Sequence, residues 1–93
     1  MKECYAFAIG GLPDPLLHPI QAKKVLDFLK NLDGLAGLHL ADRYHTLLAF
    51  ETLNQAKIAI NKIKAEGNPV GNHIMTAEIS EDRQTITVKE PVE

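Results

Sequence analysis

His39, His45 and Cys4 are side chains of types that could bind a metal or do nucleophilic chemistry, and their spacing decides whether they can. Both histidines fall in short alternating stretches that read as adjacent antiparallel strands. If Leu38 opposes Leu48, then His39 opposes Leu47 and His45 opposes Ala41. The imidazoles are then diagonal neighbours on one face, with Cβ atoms about 7 Å apart. A metal would need a third ligand, and Cys4 is the obvious one. The first strand runs antiparallel to the third, however, so Cys4 falls near Ala49 while His45 falls near Ala8. The same separation defeats a Cys–His catalytic pair. The expectation is a surface histidine pair with some pH sensitivity, no metal and no catalytic residue.

Other chemistry is sparse. Gly10-Gly11 could cradle an anion, but Pro13, Pro15 and Pro19 remove donors and the spacing matches no phosphate loop. The carboxylates Glu81, Asp82 and Asp33 sit in turns with no facing partner for acid–base work. Lys23, Lys24 and Lys30 on one helix, and Lys57, Lys62 and Lys64 on another, decorate solvent faces.

Composition narrows the classes further. Lys+Arg 10 against Asp+Glu 12 gives a net charge of −2, so the chain lacks the basic footprint of a salt-driven nucleic-acid binder. One cysteine excludes an internal disulfide or a two-thiol redox motif. No apolar run approaches the roughly 18 residues of a membrane span. Met1-Lys2-Glu3-Cys4 leads into a run too quickly broken for a secretory signal. A cytoplasmic domain without membrane attachment is the expectation.

Cys4 to Ile9 alternates large (Tyr5, Phe7, Ile9) with small (Cys4, Ala6, Ala8), the pattern of a strand with its large side on a core. From Pro19, Ala22, Val25, Leu26, Leu29 and Leu32 recur at helical spacing until Asp33-Gly34. Ala36, Leu38 and Leu40 predict the core side of a second strand, and Thr46, Leu48 and Phe50 that of a third. Thr52 to Gln55 fits a capping box, and Leu53, Ala56, Ala59, Ile60 and Ile63 line the helix it opens. Ile58 lies off that stripe. A loop over Asn68-Pro69-Val70-Gly71-Asn72 leads to a fourth strand, with Met75, Ala77 and Ile79 assigned to the core and Ile74, Thr76 and Glu78 to the opposite side. Thr85 to Lys89 reads as a short fifth strand after an Glu81-to-Gln84 turn.

The order β-α-β-β-α-β predicts an α+β fold, the ferredoxin-like plait. Four antiparallel strands in the order 4-1-3-2 would carry two helices on one face, and the fifth strand could extend the edge beside the fourth. Residues 1–90 form the single expected domain, and 91–93 the expected frayed end.

The landmarks resemble an RNA recognition motif (RRM). Phe7-Ala8-Ile9-Gly10-Gly11-Leu12-Pro13 is similar to that family's first-strand signature. Phe28-Leu29-Lys30-Asn31-Leu32-Asp33-Gly34 sits at its helix-ending turn, and Arg43-Tyr44-His45-Thr46-Leu47-Leu48-Ala49-Phe50 falls on its third-strand octapeptide. The resemblance spans roughly residues 5 to 79. It implies single-stranded RNA binding by base stacking on the sheet, but the stacking positions are occupied by Ala8, His45 and Leu47, and Tyr44 stands where the family has Gly. The core half of each signature remains: Phe7, Ile9, Leu48 and Phe50.

The face away from the helices is therefore expected to display Ala6, Ala8, His39, Ala41, His45, Leu47, Ala49, Ile74 and Thr76. It is small, apolar and nearly uncharged, so it should bury against something. Two outcomes are open: a protein partner (including a second copy, sheet to sheet), or the chain's own segment from Thr85 folding back over it. The expected function is a non-catalytic, cofactor-free module for protein interaction or self-association through this face. The alternatives are weak single-stranded RNA or DNA binding with Arg43 and His45, and, more remotely, an ACT-like small-ligand sensor using the loop after the first strand.

Overall fold

The computed structural model describes residues 2–67, 70 and 73–92. The loop expected over Asn68, Pro69, Gly71 and Asn72 therefore lies outside the described residues, except for Val70, which bridges Ile9. Among the described residues the chain forms β1 (Lys2–Gly10), α1 (Pro19–Lys30), β2 (Leu35–Leu40), β3 (His45–Phe50), α2 (Leu53–Ala65), β4 (Met75–Ile79) and β5 (Ile86–Pro91). The class is α+β: two helices and one open antiparallel sheet of five strands in the order β2-β3-β1-β4-β5. This differs from the expected four-stranded order 4-1-3-2 by the fifth strand at the edge beside β4.

β1 is central because its alternation makes both of its faces apolar. Phe7 opposes Leu48 and Tyr5 opposes Phe50 on one face, while Ala6 opposes Ala49 on the other. The large face meets the helices. Phe7, Ile9, Leu48 and Phe50 pack with Leu29 and Leu32 after and within the first helical segment and with Ala56, Ala59 and Ile63 of α2. The Phe7 and Phe50 rings stack with centroids 5.5 Å apart, and each fully buried ring stabilises the fold by about 1.5–3 kcal/mol through removal from water. Pro19 occupies the first turn of α1, where its missing N–H costs no hydrogen bond. Gly34 takes a left-handed φ of 79° in the turn that follows the helix.

The capping box at α2 is half made. The Gln55 N–H donates to Thr52 Oγ1 at 3.2 Å, but the Gln55 side chain lies against Gly34, where a Cβ would stand 2.1 Å from it. Its Oε1 is buried without a partner among the described residues.

Two facings expected from the sequence are corrected. Met75, Ala77 and Ile79 face away from the helices, because Ala6 opposes Met75 and Cys4 opposes Ala77, while Thr76 opposes Tyr5 on the helix side. Ile74, expected on the open face, packs against the helix-side core. Ala36 also turns away from the helices, at a bulge where β2 shifts register between Leu35 and Gly37. Period-2 alternation establishes which residues share a face but not which face that is, and a bulge inverts it outright. The far side can take these residues because it carries a second core. Cys4, Ala6, Ala36, Ala49, Ala77, Ile79 and Ile86 are buried together there, with Leu47 against them. Near the end of the chain Pro91 pairs with Met75, and the Val92 N–H donates to the Ile74 carbonyl at 2.9 Å, while Glu93 lies outside the described residues.

Candidate functional site

The face expected to bind a partner is largely closed by the chain itself. Ala6 and Ala49 are fully buried, and Ala8, His39 and Leu47 are half-buried. Ile74 and Thr76 belong to the other side of the sheet, where the Thr76 hydroxyl meets the Glu90 backbone. Of the residues expected on this face only Ala41 and His45 are exposed, both at the β2–β3 turn. The cover is the β4–β5 hairpin. Ile86 enters the second core, Arg83 Nη1 donates to the Ala36 carbonyl at 3.1 Å, and the Ile86 N–H donates to His39 Nδ1 at 2.8 Å. The returning C-terminal segment thus lies over part of this face.

The histidines share a face and do different things. His39 opposes Leu47, as the spacing predicts, and accepts the hydrogen bond from β5. His45 opposes Gly10 and pairs through Nδ1 with Asp42 at 3.0 Å. The Tyr44 N–H, first, and then His45 hold the Asp42 carboxyl below the usual carboxylate range. Arg43 is exposed in the same turn. Cys4 is buried in the second core, and desolvation, followed by the nearby Glu78 charge, pushes its thiol up. Among the described residues no three of the His, Cys, Asp and Glu side chains are grouped to hold a metal ion. No helix among them is long and apolar enough to cross a membrane.

An open groove of about 820 Å³ lies at the end of the sheet where β1 begins, lined by Glu3, Tyr5, Glu51, Thr76, Lys89 and Glu90 among others. Two of its four lining charges, Glu51 and Lys89, are in ion pairs. Lys2 binds Glu51 at 2.7 Å and Lys89 binds Glu78 at 2.6 Å, and both carboxyls are held below their ordinary value by these lysines.

The surface without a partner is at the opposite end. Leu16, Leu17 and Ile20 are 90%, 73% and 75% exposed, and Leu40 and Tyr44 are 62% and 69% exposed. The first three come from the loop after β1 and the start of α1, the other two from the end of β2 and its turn. Gly11 brings the two segments together: a Cβ there would stand 2.1 Å from the Arg43 carbonyl oxygen, so the close approach requires glycine. The Asp14 carboxylate accepts the Leu16 N–H at 2.8 Å and fixes the turn that presents the leucines. The sequence held a signal for this surface that the strand and helix patterns did not use. Leu16-Leu17 lies between Pro15 and Pro19 in a stretch with no period, so no neighbouring element is available to bury both. Ile58 on α2, off the apolar stripe as expected, is 45% exposed and stands apart.

No protein-family model matches the chain, and no curated protein or solved structure matches it either.

Proposed function

We propose that this chain is a non-catalytic protein-binding module on an RRM-like, ferredoxin-like plait. Its docking surface is the apolar end formed by Leu16, Leu17, Ile20, Leu40 and Tyr44. The plait is supported by the element order, with β1 and β3 side by side and both helices packed on one face of the sheet. β5 is an addition to that plan. The observation that carries the docking surface is that five of the six large exposed apolar side chains come from two segments at one end. Single exposed apolar residues are ordinary, but a group of them marks an interface.

The charges nearby indicate the partner. Lys23 and Lys24 follow Ile20 by three and four residues and so share its side of α1, and Arg43 stands in the neighbouring turn. The acids of this end, Asp14 and Asp42, are already engaged by Leu16 and by Tyr44 with His45. An apolar peptide segment with acidic flanks fits this surface best, since opposite potentials steer encounter and suppress wrong partners.

The test is selection from a random peptide library, followed by NMR titration of the selected peptides. Sequences with Leu, Ile or Phe anchors and Asp or Glu flanks should emerge. They should shift amides of residues 16–21 and 40–44, and Leu17→Ser with Ile20→Ser should abolish binding while leaving the rest of the spectrum in place. Peptides that map to another surface, an empty selection, or light scattering that shows a dimer buried through this end would each overturn the reading.

A further inference from the structure

The hairpin that closes the far face of the sheet is held to β2 by one hydrogen bond that depends on the state of a side chain. His39 Nδ1 accepts the Ile86 N–H at 2.8 Å. A ring nitrogen accepts only when it carries no proton, so the bound imidazole is neutral with its hydrogen on Nε2. Histidine takes up a second proton between about pH 5 and 8, and two N–H groups would then face each other across this contact. The other hydrogen bond between hairpin and β2, from Arg83 to the Ala36 carbonyl, comes from an exposed residue, and Gly37 also packs against the Arg83 backbone and Ile79.

The charged neighbours do not offset that proton. From the hairpin, Arg83 brings a second positive charge to the same edge. From β3, His45 stands diagonally across the face and is already paired with Asp42. In the hairpin turn the Asp82 carboxylate accepts from the Ser80 hydroxyl and the Gln84 N–H, Glu81 is exposed beside it, and on the strands Glu78 is bound to Lys89. No carboxylate pairs with His39 among the described residues. Behind the contact, Ile79 and Ile86 are 3% and 4% exposed under the hairpin, and Cys4, 3% exposed in the same cluster, also borders the open groove where β1 begins.

We propose that His39 is a proton-operated latch. Neutral, it pins the β4–β5 hairpin across the far face. Protonated, it releases the Arg83–Ile86 end and opens the small-residue cluster that contains the Cys4 thiol. The inference concerns the face of the sheet turned away from the helices and stands independently of the docking surface.

The experiment follows the full chain from about pH 8 to pH 5. Imidazole nitrogen shifts of His39 report its tautomer and titration, and the Ile86 amide reports the bond. Trapping of Cys4 by 2,2′-dipyridyl disulfide, a reagent that works in acid, reports opening when divided by the rate in the unfolded chain. His39 should hold its proton on Nε2 at the upper pH, and the Ile86 amide should shift with the midpoint of His39. Normalised trapping should rise about tenfold through that midpoint, the factor expected for one net hydrogen bond. His39→Asn, whose carboxamide oxygen accepts at every pH, should stay closed with a flat profile, and His39→Leu should stay open with a flat profile. An Nδ1–H tautomer, a His39 ring that does not titrate in this range, an Ile86 amide indifferent to it, or an Asn variant that keeps the wild-type pH rise would overturn the latch. If His39→Leu does not fold, the wild-type and Asn profiles decide.

Discussion

Gly37 and Arg83 meet backbone to backbone across the far face of the sheet: a Cβ on Gly37 would stand 2.7 Å from the Arg83 carbonyl oxygen and 2.2 Å from Ile79 Cδ1. The bulge before Gly37 and the left-handed turn at Arg83, with φ 61°, bring β2 and the hairpin to this distance. The second core is sealed at this point.

Gly37→Ala therefore overpacks a contact in which one wall is backbone. The Ile79 side chain can turn aside, but the Arg83 carbonyl can move only with the hairpin. Loss of about 1–3 kcal/mol of unfolding free energy is expected in urea denaturation. A variant as stable as the parent would show that the hairpin does not pack on β2.

Thr46 presents the opposite case. It is fully buried between Ile9 and Leu40 on the helix side of the sheet, and its Oγ1 has no hydrogen-bond partner among the described residues. Thr46→Val keeps the shape and removes the unsatisfied hydroxyl, so it should raise stability by about 1–2 kcal/mol, seen as a higher urea midpoint at unchanged slope. A loss of stability would mean that the hydroxyl has a buried partner.

Acid sensitivity should arise partly from the β4–β5 edge. The Lys89 ammonium lowers the Glu78 carboxyl from its ordinary value of 4.5, first by hydrogen bonding and then by charge. A carboxyl depressed in the folded state contributes stability above its unfolded pKa, and that contribution is lost as pH falls through the folded value. Lys89, raised by the same pair, contributes below its ordinary 10.5 and loses that contribution as pH rises through the folded value. Glu78→Gln should flatten the stability profile below about pH 4.5, leave it unchanged near neutrality apart from the small loss of an exposed pair, and show less difference from the parent in high salt. A profile identical to the parent's at low salt would remove the pair from the account.

The period-2 runs at Cys4 to Ile9, Ala36 to Ala41, His45 to Phe50 and Ile74 to Ile79, the helical spacing from Pro19 and the stripe from Leu53 to Ile63 were enough to locate six of the seven elements and the register of Leu38 on Leu48. These are local properties, written in which side chains recur at which interval. The seventh element, β5, and the assignment of Phe7, Leu48 and Phe50 to the helix-side core were legible for the same reason. The candidate site was much less so. Ala6 and Ala49 read as an open face because nothing in their own strands shows what lies above them. Leu16 and Leu17 carry no period, and the signal they do hold, an apolar pair between Pro15 and Pro19, does not say what lies next to them in space.

Sequence alone thus determined which residues share a face in the strands without a bulge, where the chain turns, and that Phe7 and Phe50 belong to the larger core. Tertiary structure alone decided that a second core exists, that Met75, Ala77 and Ile79 serve it, and that His39 receives a hydrogen bond from Ile86 far along the chain. Alternation is a relation between neighbours and is unchanged when a strand is turned over. Which face is buried depends on what the rest of the chain lays upon it, and here that is a hairpin seated on Gly37.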